Sequence, residues 1–67
     1  PLEFDKKVKI GITKNGGSEE VVDAMPVKGI YKNRVSSIIT IPYKGNGRYK
    51  IVVEDLYGNK GALEVNL

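Results

Sequence analysis

Residues 46–61, NGRYKIVVEDLYGNKG, decide how this chain is read. From Arg48 to Glu54 the side chains alternate. Tyr49, Ile51 and Val53 fall on one face, and Lys50, Val52 and Glu54 on the other. That is the period-two pattern of a half-buried strand. The pattern breaks at Asp55-Leu56-Tyr57-Gly58-Asn59 and resumes in KGALEVNL, with Leu63, Val65 and Leu67 inward and Glu64 and Asn66 outward. The break has the backbone chemistry of a hairpin. Asp55 accepts hydrogen bonds at the first position of a type I turn, Leu56 and Tyr57 occupy its centre, and Gly58 supplies the left-handed conformation that closes it. Asn59 tolerates the same region if the register moves by one. Only Leu56 and Tyr57 lack a backbone reason to be there, so Tyr57 is the first residue to suspect of a contact.

The same alternation recurs upstream. In EFDKKVKIGITK, Phe4, Val8, Ile10 and Ile12 share a face, which Lys6 interrupts near the start. NGGS (15–18) is a turn signal. EEVVDAM reads as a strand whose inward face is either Val22 with Ala24 or Val21 with Met25, and Pro26 ends it or marks an edge. VKGIYKN is a short edge strand with a bulge at Gly29, or a loop. RVSSIITIP alternates with Val35, Ser37, Ile39 and Ile41 on one face, and YKGNG is the next turn. No stretch repeats apolar residues at helical spacing. The expectation is an all-β chain of five or six short strands, an antiparallel sandwich or small barrel.

Composition narrows the function. The 67 residues suffice for one small domain near the lower limit for an independent core. Because the chain opens on Pro1, it is expected to be one module (1–67) excerpted from a larger protein. It has neither cysteine nor histidine, hence no disulfide, no thiolate metal site and no imidazole base. Ser18, Ser36 and Ser37 have no histidine to activate them, so an enzyme is not expected and no cofactor is implied. The apolar runs are a few residues long, so membrane insertion is not expected. A formal charge of +3 is a solubility margin rather than the basic stripe of a nucleic-acid binder.

GNGRYKI places a tyrosine two residues after a glycine that ends a tight turn, at the start of an inward-facing strand. This is the tyrosine-corner position, where the ring packs inside and the hydroxyl bonds back to the corner. Through Gly47, Tyr49, Ile51, Val53, Asp55, Gly58, Asn59 and Val65, the C-terminal third resembles bacterial immunoglobulin-like repeats, and KVKIGITKNGG looks like their second strand and following loop. The resemblance implies a small antiparallel Ig-like β-sandwich of about six strands. Such domains run to about 100 residues and seven strands, so a first strand is missing here or is supplied by a neighbour. It further implies a non-catalytic spacer, assembly or adhesion module of a cell-surface, secreted or virion protein, with neighbouring domains, a glycan or a protein as partner.

In such a sandwich the strands 4–13 and 48–54 run the same way. KNGGS, IYKNR and DLYGN then meet at one pole, with IPYKGNG at the other. The binding candidates at that pole are Lys14, Tyr31, Lys32, Arg34 and Tyr57, because tyrosine and arginine anchor recognition surfaces. Tyr49, Gly47, Asp55 and Gly58 are the structural candidates. Calcium, which needs six to eight oxygens, has weak candidates in Asp55, Asn59, Glu19 and Glu20. The rival function is a small β-barrel that stacks single-stranded nucleic acid on tyrosines flanked by lysines.

Overall fold

The computed structural model describes all the residues, Pro1–Leu67. The chain is all-β. Its strands are β1 (Val8–Lys14), β2 (Glu19–Ala24), β3 (Val27–Tyr31), β4 (Arg34–Ile38), β5 (Arg48–Glu54) and β6 (Lys60–Asn66). Four form a sheet in the order β2-β1-β5-β6, and β3 and β4 form a second, two-stranded sheet. Every pairing is antiparallel. Six antiparallel strands in two sheets are compatible with a small β-sandwich. A closed barrel is not formed, since β2 and β6 are unpaired edges. No helix is long and apolar enough to cross a membrane.

The core follows from the alternation. Val8, Ile10 and Ile12 of β1 and Tyr49 and Ile51 of β5 are buried together, with Phe4, Val22, Ala24, Ile39, Ile41, Val53 and Val65 packed around them. The ladder pairs Ile12 with Ile51 and Ile10 with Val53 across β1 and β5, and Ile10 with Val22 across β1 and β2. This settles the parity of β2: Val22 and Ala24 face inward, while Val21 and Met25 are exposed. Phe4 belongs to the core, as its spacing predicts, but the strand itself begins only at Val8, after a bend at residues 5 and 6.

Three expectations are corrected. First, residues 8–14 and 48–54 do not run the same way. They are antiparallel neighbours in one sheet, with Lys14 opposite Tyr49 and Lys9 opposite Glu54. The second and sixth strands of an immunoglobulin domain lie in different sheets, so the strand order here departs from the arrangement the resemblance implies. Second, Gly29 forms no bulge. It pairs with Ser36 in an unbroken register, and its missing Cβ leaves the place taken by the Ile38 side chain. Third, residues 34–42 do not continue as one strand. The ladder ends at Ile38, and Ile39 and Ile41 turn onto the main sheet instead.

The β3–β4 hairpin closes through Lys32 and Asn33, with Tyr31 opposite Arg34. Both loop residues have positive φ, 51° and 62°, as in a type I′ turn. Neither strand packs on a strand of the larger sheet. The hairpin is therefore an arm. It helps explain a radius of gyration of 12.4 Å where about 11 Å is expected of a compact chain this long.

The β1–β2 turn is locked onto the start of β5. Asn15 donates its N–H to the Arg48 carbonyl at 2.7 Å, and its side-chain oxygen accepts the Arg48 N–H at 2.9 Å. A Cβ on Gly47 would stand 2.9 Å from that Asn15 side chain. Gly47→Ala is therefore expected to cost about 1–3 kcal/mol, as other overpacked sites do. Chemical denaturation will show this as a lower midpoint with an unchanged slope.

Candidate functional site

At the lower end of the sheet, the turn 55–59 is organised by one carboxylate. Asp55 is 5% exposed. Its Oδ1 accepts the N–H groups of Tyr57 and Asn59, each at 2.9 Å. Its Oδ2 accepts the Asn59 side-chain amide at 2.9 Å and the Glu3 N–H at 2.8 Å. Gly58, at φ 86°, closes the turn, with its N–H directed to the Asp55 carbonyl. The expected hairpin chemistry is thus present. Burial alone would raise the Asp55 pKa. The hydrogen bonds from the Asn59 side chain and from the N–H groups of Glu3, Asn59 and Tyr57 outweigh it and lower the pKa to about 2.

The Glu3 contact gives this turn a second task. Tyr57 donates its hydroxyl to Asp5 at 3.2 Å, and that bond and the Asp5 charge raise the Tyr57 pKa. Asp55 and Tyr57 thus hold residues 3–5 as a strap across the end of the sheet. The strap alternates, so Leu2 and Phe4 face the sheet while Glu3 and Asp5 meet the turn. Leu2 can settle there because Gly61 has no side chain, and a Cβ at that position would lie 3.0 Å from the Leu2 methyl group.

Beside the strap lies an open groove of about 400 Å³. Its lining includes Leu2 and Phe4 of the strap, Ile39 and Ile41 of the segment after β4, and Ile51 and Leu63 of the sheet. It is open because the inner face of β6 is only partly covered. Val65 packs on the core and Leu2 lies against Gly61, but Leu63 between them has no such cover. Leu63 and Leu67 point inward as their alternation predicts, yet each remains more than half exposed. The arm is the second apolar feature. Ile30 and Val35 are directly opposite each other near its tip and are 78% and 76% exposed. Lys32 lies over the Tyr31 ring at 5.3 Å, a cation–π contact. Lys28 donates to Ser37 across the strands at 3.0 Å.

The upper end is built around Tyr49, which is fully buried. Its hydroxyl donates to the Gly45 carbonyl at 2.5 Å and accepts the Lys44 N–H at 2.9 Å, the geometry expected of a tyrosine corner. Lys14 donates to the Lys44 carbonyl at 2.6 Å. Lys44 pairs with Glu20 at 2.8 Å, and the hydrogen bond to that carboxylate raises the lysine's pKa.

The five binding candidates are therefore not one site. Lys14 is at the upper end beside Lys44, Tyr57 is at the lower end beside Asp5, and Tyr31, Lys32 and Arg34 are on the arm. The pole expected from KNGGS and DLYGN does not form, because antiparallel β1 and β5 put those turns at opposite ends of the sheet. The same fact separates the calcium candidates. Glu19 and Glu20 begin β2 at the upper end, while Asp55 and Asn59 are at the lower end with both Asp55 oxygens engaged. No three acidic residues cluster as a metal site would require.

Two features went unread in the sequence although it contains them. Asn33 between two short β-like stretches tolerates the positive φ of a two-residue turn, although Lys32 before it is not a usual residue there. All eight carboxylates also lie outside residues 24–53, which carry Lys28, Lys32, Arg34, Lys44, Arg48 and Lys50. Among known proteins, no family model, no curated protein and no solved structure matches this chain.

Proposed function

We propose that this chain is a non-catalytic interaction module, immunoglobulin-like in kind, that works by assembly with another protein surface. The observation that carries the reading is the Ile30–Val35 pair. Two large aliphatic side chains stand opposite each other near the end of an arm, at 78% and 76% exposure. A two-stranded hairpin is marginal in water on its own, and exposed apolar residues rimmed by polar ones mark contact surfaces. The tyrosine corner supports the kinship, and with it an extracytoplasmic or virion setting in which such modules space or join larger proteins. Contact runs through the arm and the partly covered sheet face rather than through one loop pole.

A photo-cross-linking amino acid in place of Ile30, with the chain produced in its own host, is expected to yield a discrete adduct of higher mass. The same residue in place of Lys60, an exposed position at the start of β6, is expected to yield none. If position 30 gives no adduct, the assembly reading falls.

A further inference from the structure

We infer that the partner is a second copy of this chain, with each arm seated in the other copy's groove. The inference rests on the assembly reading above and names its occupant. The chain carries two unpartnered apolar features of opposite form, a protruding arm with Ile30 and Val35 exposed near its tip and a recess of about 400 Å³ lined in part by Leu63. A recess of that size falls in the range that takes up ligands.

Their charges are complementary. The arm carries Lys28, Lys32 and Arg34, and there is no carboxylate anywhere from Ala24 to Val53. The strap that helps line the groove carries Glu3 and Asp5, with Asp55 bonded beneath it. Cations arriving with the arm thus meet the carboxylates of the strap on its turn side, beside Tyr57 and Asn59, while Ile30 and Val35 find an apolar lining. In a two-fold arrangement each copy's arm enters the other's groove, so both contacts form at once and the assembly closes at a dimer. A head-to-tail arrangement of the same patches would grow into a filament. The exchange would also give the arm the packed face that its own copy does not provide.

The test is sedimentation of the 67-residue chain from micromolar to millimolar concentration, with circular dichroism to confirm that each variant stays folded. A dimer that weakens as salt rises is expected, since rim charges are screened. Ile30→Asp and Leu63→Lys each change an exposed residue, and each is expected to raise the dimer dissociation constant roughly tenfold or more, the worth of one buried aliphatic side chain. Mixing the two variants is expected to restore association. In the mixed dimer one arm–groove contact is native and the other brings opposite charges together. A chain that stays monomeric at millimolar concentration overturns the inference, and so does a dimer indifferent to both variants. A monomer that binds oligothymidylate or anionic vesicles through the arm overturns it too. A position-30 adduct with a different protein would leave the assembly reading standing and remove only the second copy.

Discussion

Tyr49→Phe is expected to destabilise the fold by about 1–3 kcal/mol, the cost of leaving buried hydrogen-bonding groups without a partner. The hydroxyl is the only atom removed, but it serves two backbone groups, the Lys44 N–H and the Gly45 carbonyl. Those bonds hold residues 44 and 45 in the tight turn that leads into β5. Tyr49→Ala removes the largest fully buried side chain as well and is expected to cost about 3–5 kcal/mol. A domain of this length has roughly 3–10 kcal/mol of stability in total, so the alanine variant is expected to lose about a third of it or more, with a much larger drop in midpoint than the phenylalanine variant shows. Urea unfolding followed by circular dichroism measures both. A phenylalanine variant with the midpoint of the parent chain would show that the corner is not held by its hydroxyl.

Acid is expected to unfold the chain through Asp55. Its pKa is lowered from the ordinary 3.8 to about 2 in the folded state. The folded state therefore favours the charged carboxylate. That contribution is complete above the unfolded value near 4, and it is lost as the pH falls from there through about 2. Protonation replaces an acceptor of four hydrogen bonds with a group that must also donate. The turn 55–59 and the Glu3 contact should then fail together. In Asp55→Asn the fold is expected to be weaker at neutral pH and the dependence between pH 4 and 2 flatter, with faster amide exchange at Glu3. Thermal melts across that range decide it. An unchanged acid slope in the variant would assign the acid sensitivity to other carboxylates.

How much of this was legible depended on whether a residue's role was local. Asp55, Gly58 and Asn59 could be read from sequence because a turn is specified by its own few residues, and Tyr49 because a corner spans only residues 44–49. The inward faces of β1, β5 and β6 followed from alternation. The pairing of β1 with β5 did not, because alternation says which face a residue takes and nothing about which strand lies beside it. That single unknown misplaced the loops, and with them the grouping of Lys14, Tyr31, Lys32, Arg34 and Tyr57. Tyr57 shows the same limit, since its hydroxyl partner Asp5 lies 52 positions away. Leu63 marks another: its side chain points inward as expected, but whether anything covers it is a property of the whole fold.

The strap and the last strand leave the sheet at opposite ends. Glu3 is bonded at the lower end, beside Asp55, and Leu67 exchanges hydrogen bonds with Gly47 at the upper end, at 2.9 and 3.0 Å. A pull applied between Pro1 and Leu67 would therefore draw β1 downward and β6 upward, with β5 held between them. The ladder bonds on both sides of β5 lie across the direction of pull. They are loaded side by side in shear, not peeled one at a time, and must give way together. A module strung between two others would carry tension along its three best-paired strands, while the arm, which interrupts none of them, would stay free of the load.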